Sequence, residues 1–194
     1  MARTKEFDPD AALRSALELF WRRGYEATSM ADLVERLGIG RASVYATFGS
    51  KRELYLKALD RYNESRDAEL LAELSRPGPV LPAVRTVLRR FAAEATSEEQ
   101  RGKGCFVTNT ATELGARDPA AARRVEASWA HLETLLHSAL ARARAQGELS
   151  EDRDPRALAR MLLVLMQGLR VVGKASDDPG RVRDAAEQAL GLLD

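Results

Sequence analysis

Apolar residues recur along this chain at spacings of three and four, the period of a helix with one buried face. Asp-Pro pairs, glycines and short polar runs punctuate the pattern. Leu13, Ala16, Leu17 and Phe20 form the first stripe. Asp8-Pro9 opens it as N-cap and first helical residue, and Gly24 closes it after Arg22 and Arg23. Met30, Leu33, Val34 and Leu37 form a second stripe, with Ser29 and Asp32 in capping-box positions. Gly38-Ile39-Gly40 breaks it, and Val44 and Phe48 face inward from a third short helix. The pattern predicts helices over 8–24, 29–37 and 41–48. A long helix follows from Ser50 to about Leu74, with Leu54, Leu59, Tyr62 and Leu70 among its apolar positions. Arg76-Pro77-Gly78-Pro79 ends it.

The remainder is also helical in period. Val84, Val87, Leu88 and Phe91 mark a helix from Pro82 to about Ala95, and Cys105 to Leu114 a short one. Val125, Trp129, Leu132, Leu136 and Leu140 mark a long helix over 119–146. The helix opened by Asp154-Pro155 runs to about Lys174 and contains the run Met161–Met166, so it is apolar nearly all round. Such a helix needs cover on several sides. Asp178-Pro179 opens the last, with an Ala/Leu stripe. No alternating β-type run occurs. The expectation is an all-α protein of about nine helices with short loops. A small helical unit over 1–52 precedes a larger helical domain over 53–194.

Residues 29–52 read as a helix-turn-helix: two short helices joined by a tight glycine-containing turn. Charge changes this picture only locally. The 194 residues carry a net charge of +1, so bulk electrostatics favours no polyanion. Between Gly38 and Arg52, however, the charges are Arg41, Lys51 and Arg52, with no acid until Glu53. Arg3 and Lys5 sit on an N-terminal arm. A single cysteine excludes an intrachain disulfide and points to a reducing compartment. The first ten residues lack the apolar core of a signal peptide, and the run 161–166 is far too short to span a bilayer. The expected location is the cytoplasm.

Motifs for catalysis are absent: there is no Gly-x-Ser-x-Gly, P-loop or paired-cysteine site. Glu133 and His137 are spaced i, i+4 with His131 nearby, which reads as a solvated helix face rather than a metal site. No enzyme, cofactor or metal is expected.

The N-terminal fifty residues resemble the TetR family of transcriptional regulators. The resemblance rests on Gly24-Tyr25-Glu26-Ala27-Thr28-Ser29-Met30, on Leu37-Gly38-Ile39, and above all on Val44-Tyr45-Ala46-Thr47-Phe48-Gly49-Ser50-Lys51-Arg52-Glu53-Leu54. Ala46-Thr47 replaces the family's commoner aromatic-His pair, and Gly40 stands where Ser is common. The segment Gly104–Leu114 resembles one recurrent version of the family's ligand-binding half. The resemblance implies a DNA-binding regulator, most simply a repressor. A small molecule binding the C-terminal half would shift the fourth helix and change the separation of two recognition helices.

A helix of about eight residues fits the major groove. Arg41, Ala42 and Ser43, at its N-terminal end, are best placed for base edges; Arg41 suits a guanine or a phosphate equally. Tyr45 has two readings, a phosphate or thymine-methyl contact and a partly buried core residue. Thr47 would reach the backbone. Thr28 and Ser29, at a helix N-terminus, and Lys51, in the first turn of the fourth helix, suit phosphates. One such helix reads few bases, so the expected partner is a palindromic double-stranded DNA site bound by a homodimer. The helices at about 154–174 and 179–193 are the candidate dimer surface, with Gly168 as a point of close approach; the alternative is that both are ordinary core.

Candidate effector contacts are Phe91, Cys105, Phe106, Asn109, Trp129, Leu132, Leu162, Met166 and Arg170, chosen as large, flexible or polar side chains within apolar helices. Cys105 follows Arg101 and Lys103 near a helix start, which favours a reactive thiolate sensing electrophiles or oxidants. Its alternative role is a small buried hydrophobe.

Overall fold

The computed structural model describes residues 7–100 and 102–193. Arg3, Lys5 and Arg101 lie outside the described residues. Within them the chain forms α1 (Pro9–Arg23), α2 (Met30–Leu37), α3 (Arg41–Phe48), α4 (Lys51–Leu74), α5 (Leu81–Thr96), α6 (Phe106–Leu114), α7 (Pro119–Ala145), α8 (Pro155–Ala175) and α9 (Gly180–Gly191), with no strand.

Local chemistry sets most of the boundaries. Asp8, Asp118 and Asp154 each turn a carboxylate onto free amides at the start of a helix whose first residue is proline. Ser29–Asp32 and Ser50–Glu53 form complete capping boxes. Gly38 takes the left-handed conformation (φ 66°) and closes α2. The start of α5 is capped from a distance: Glu148, after α7, accepts from the amides of Val80 and Leu81 at 2.8–3.0 Å. No local signal announces that cap. α9 begins at Gly180, whose amide donates to Asp178 Oδ1 at 2.9 Å.

Two hydrophobic cores divide the molecule, and α4 passes through both. Leu54, Tyr55, Leu59 and Tyr62 join α1–α3 in the first core; Leu70 and Leu74 join α5, α7, α8 and α9 in the second. The first core also takes in Phe106, Val107 and Leu114 of α6 and Ala121 and Val125 of α7. The small N-terminal unit is therefore completed by residues from far along the chain, as a three-helix unit of this size requires.

α8 buries Leu162, Met166 and Leu169 and leaves Val164, Gly168, Val171 and Val172 exposed on one face. Within the protomer the close approach of α8 is at Gly173, while Gly168 stays open on the exposed face. A Cβ on Gly173 would stand 2.3 Å from the Ala95 carbonyl oxygen of α5, whereas one on Gly168 would meet open space. The Ala/Leu stripe of α9 is spent within the protomer: Val182, Ala186, Ala189 and Leu190 are buried in the second core.

Candidate nucleic-acid interface and internal cavity

α3 is seated by Val44 and Phe48, which are buried against the first core. Its opposite side presents Arg41, Ala42 and Tyr45 to solvent, with Ser43 and Thr47 half-buried. Tyr45 is thus a surface residue. Its hydroxyl accepts from Arg41 Nη2 at 3.3 Å, and the guanidinium carbon lies 5.6 Å from its ring centre. Gly40 offers no side chain to cap α3, so its first amides have no side-chain partner.

The neighbouring candidates are placed differently. Ser29 is exposed, but its hydroxyl serves the capping box with Asp32. Thr28 is fully buried, its hydroxyl donates to the Gly24 carbonyl at 2.7 Å and its amide to the Tyr25 carbonyl at 3.3 Å, so the free amide expected to favour a phosphate is already partnered there. Lys51 packs its ammonium 4.2 Å from the Tyr25 ring centre. Arg52, part of the basic run, is committed elsewhere: it grips Asp118 through two bonds of 2.5 and 2.7 Å. That hydrogen bond holds the Asp118 carboxyl at about 2, against burial that opposes the shift, with the amides of Ala121 and Ala120 adding to it.

α6 is the strut behind this face. Glu113 accepts from the amides of Tyr25 and Glu26 at 3.0 and 2.8 Å, holding the loop between α1 and α2. Tyr55 and Thr110 share a buried hydroxyl–hydroxyl bond of 2.9 Å. Trp21 Nε1 donates to the Gly104 carbonyl at 2.9 Å. Tyr25, Tyr55, Phe106 and Tyr62 form a chain of edge-on rings with centres 5.1–5.8 Å apart.

At the far end of that chain lies a cavity of about 60 Å³ between the two cores. Tyr62, Cys105 and Val107 contribute from the first core's side, Leu70 and Leu132 from the second. Phe91, Trp129 and Arg170 complete the group of sequence candidates in its wall, with Cys105 and Leu132. The other candidates are elsewhere. Phe106 is buried in the aromatic chain. Leu162 and Met166 are buried in the second core. Asn109 lines a separate surface cavity shared with Cys105 and Arg170, where its amide bridges the Lys103 carbonyl and Lys174 Nζ.

Cys105 caps α6 and is partly exposed; Tyr62 donates its hydroxyl to the sulfur at 3.8 Å. The cation expected beside it is turned away, since Lys103 Nζ reaches Glu18 at 3.3 Å and lies 5.1 Å from the Trp21 ring centre. Glu133 pairs with Arg160 at 3.0 Å, and among the described residues no His, Cys, Asp and Glu cluster is placed to hold a metal.

Sequence reasoning missed Arg66, Asp67 and Arg90 in the cavity wall and Glu94 behind it. A signal existed. Tyr62, Arg66 and Leu70 are spaced by four on the buried side of α4, and Val87, Phe91 and Glu94 continue the inner stripe of α5. Burial raises the Glu94 carboxyl, and Arg66 and Arg170 outweigh it, so the net shift is below the ordinary carboxylate range.

Known proteins share both halves. Residues 12–58 match the family described as "Bacterial regulatory proteins, tetR family", and residues 80–190 match "Tetracyclin repressor-like, C-terminal domain". The chain is 39% identical to the HTH-type transcriptional regulator YezE of Bacillus subtilis (strain 168), over the whole of both chains. It is 34% identical to the HTH-type transcriptional repressor ComR of Escherichia coli (strain K12), over 98% of this chain and 90% of that one. The regulator CifR, solved as a cysteine mutant with 26-base-pair double-strand operator DNA, superposes over the whole of both chains with a TM-score of 0.85 and 30% identity. No helix is long and apolar enough to cross a membrane among the described residues. This chain belongs to the TetR family: it is a DNA-binding transcriptional regulator, not an enzyme.

Proposed function

We propose that this regulator binds a palindromic operator as a homodimer in the cytoplasm, acts as a repressor, and is released by a small molecule held in the cavity between its two cores. The observation that carries the reading is the solvent-facing group Arg41, Ala42 and Tyr45 on a helix anchored from behind by Val44 and Phe48. Arg41 reads a base edge or a phosphate, Ser43 and Thr47 flank it, and Ser29 and Lys51 face the DNA backbone. The domain division falls at about residue 52, where the DNA-reading unit passes into the helix shared with the effector half. The dimer forms chiefly through the exposed face of α8, with α9 alongside. Val164, Gly168, Val171 and Val172 make an apolar stripe narrow enough for a close helix–helix contact.

The test is fluorescence anisotropy with the chain's own upstream DNA across a salt series. Binding is expected to be sequence-preferring and strongly salt-dependent, with Lys51→Ala reducing the salt slope by about one. Salt-insensitive binding without sequence preference would contradict the proposal.

A second reading assigns the trigger to Cys105, because the residue lines two cavities and its sulfur accepts from the Tyr62 hydroxyl. On this reading, release by peroxide or a quinone is lost in Cys105→Ser. Equal release of both proteins ends it.

A further inference from the structure

The cavity wall carries cations in unusual company. Arg170, Arg66 and Arg90 all lie over the Phe91 ring, with guanidinium carbons 4.6, 5.3 and 5.9 Å from its centre. Glu94 stands behind them and serves all three: one oxygen accepts from Arg170 at 2.7 Å and from Arg66 at 2.9 Å, the other from Arg90 at 3.4 Å. Arg90 has further acids in Glu73 and Glu69, at 2.8 and 3.5 Å. Arg170 is 2% exposed and shares its carboxylate with the other two.

The hydrogen-bonding capacity left over is lopsided. The buried nitrogens Arg170 Nε, Arg90 Nε and Trp129 Nε1 have no protein acceptor, and all three belong to residues of this wall. Arginine and tryptophan nitrogens only donate, so what they require is an acceptor. Against them stands one unpartnered acceptor in the same wall, Asn63 Oδ1. A buried donor without a partner costs roughly 1–3 kcal/mol, more when it is charged. Asp67 is the wall's acid, and burial pushes its carboxyl up toward the neutral form, with His131 opposing.

We infer that the cavity binds a short-chain monocarboxylate, its two oxygens taken by Arg170 and Trp129 and its hydrocarbon part by Phe91, Val107 and Leu132. Size and shape narrow the class. The volume of about 60 Å³ corresponds to roughly four to six water-sized positions, enough for a body of about that many heavy atoms. A carboxylate offers one oxygen to each of the two unpartnered donors, Arg170 Nε and Trp129 Nε1, and leaves one apolar end for the apolar wall. A phosphate or sulfate would turn oxygens toward Leu132 and Val107, where no donor waits.

The inference rests on the cavity being the effector site, but its test does not require DNA. Titration calorimetry on the full chain would use propanoate, butanoate, pentanoate and hexanoate, with butanamide and inorganic phosphate as controls. At least one carboxylate is expected to bind, with butanamide and phosphate at least tenfold weaker. Arg170→Met is expected to weaken binding at least tenfold. Trp129→Phe keeps an aromatic ring but removes the pyrrole half of the indole with its N–H donor, so it should fold and weaken binding several-fold. Failure of every carboxylate to bind up to about 10 mM, equal binding of butanamide, preference for phosphate, or unchanged affinity in Trp129→Phe would each overturn the inference. Carboxylate binding that leaves operator affinity unchanged would instead refute the effector reading while leaving this site in place.

Discussion

The two cores are built from different materials. The first is aromatic and directional: Tyr55 meets Phe20, Tyr25 and Phe106 edge-on, Phe106 meets Tyr62 in the same way, and the Tyr55 and Tyr62 hydroxyls are bound to Thr110 and Cys105. The second is aliphatic, made almost wholly of leucine, valine and alanine. Aliphatic packing is fixed by volume and close approach, whereas the aromatic core is fixed by orientation as well. The cavity lies where the two meet. Tyr62 and Cys105 line it, and they connect to the ring chain and to α6, whose Glu113 holds the loop between α1 and α2.

The contrast can be broken most severely at Phe106. Phe106→Ala is expected to destabilise the protein by about 3–5 kcal/mol, because the ring is fully buried between Tyr55 and Tyr62. Urea unfolding at fixed protein concentration measures it. A loss below about 1 kcal/mol would show that the aromatic core does not depend on α6. The matching lesion in the aliphatic core is Gly173→Ala. Its new methyl meets the Ala95 carbonyl, so α5 and α8 must part, at a cost of about 1–3 kcal/mol by the same measurement.

The tie between α4 and α7 is weaker and depends on pH. The folded carboxyl of Asp118 is held at about 2, below its ordinary 3.8. Its contribution is therefore present above the ordinary value and is lost as pH falls toward about 2. Asp118→Asn preserves the helix cap but not the ion pair. It should lower the melting temperature by less than about 3 °C at neutral pH, since Arg52 is half exposed. The difference from wild type should close as pH drops below about 4. A gap that persists or widens in acid would refute the assignment. The smallest effect is expected at Gly40→Ser, which adds the missing cap to α3 and should raise stability by a few tenths of a kcal/mol.

The helices were legible in the sequence because their signals are local. Capping boxes, Asp-Pro starts and the i, i+3, i+4 stripes act within a few residues, and α1–α4 begin within a residue of their expected positions. The two faces of α3 were legible for the same reason, with Val44 and Phe48 inward and Arg41 outward. What escaped was long-range. Glu113 looks like a surface acid until its carboxylate is seen on two amides of a distant loop. Glu148 caps α5 from beyond α7. Thr28 looked free for phosphate because its partner is a carbonyl, which no side-chain pattern reveals. Arg66 and Arg90 pass for solvated charges, since periodicity alone does not say which polar residue on an apolar stripe finds a partner. Leu162 and Met166 lie in the second core and not in this cavity's wall, because an apolar helix does not announce which of its faces meets its own core.

The claim that the seam between the cores governs DNA binding is tested most directly by filling it. Methyl methanethiosulfonate converts the thiol of Cys105 to a methyl disulfide and releases methanesulfinate, adding one small group at the seam. Operator affinity is then measured by anisotropy on protein shown by intact mass to be fully modified, with identically treated Cys105→Ser as control. The account predicts at least a tenfold loss of affinity in the modified protein and none in the control. Unchanged affinity with the modification complete would contradict it.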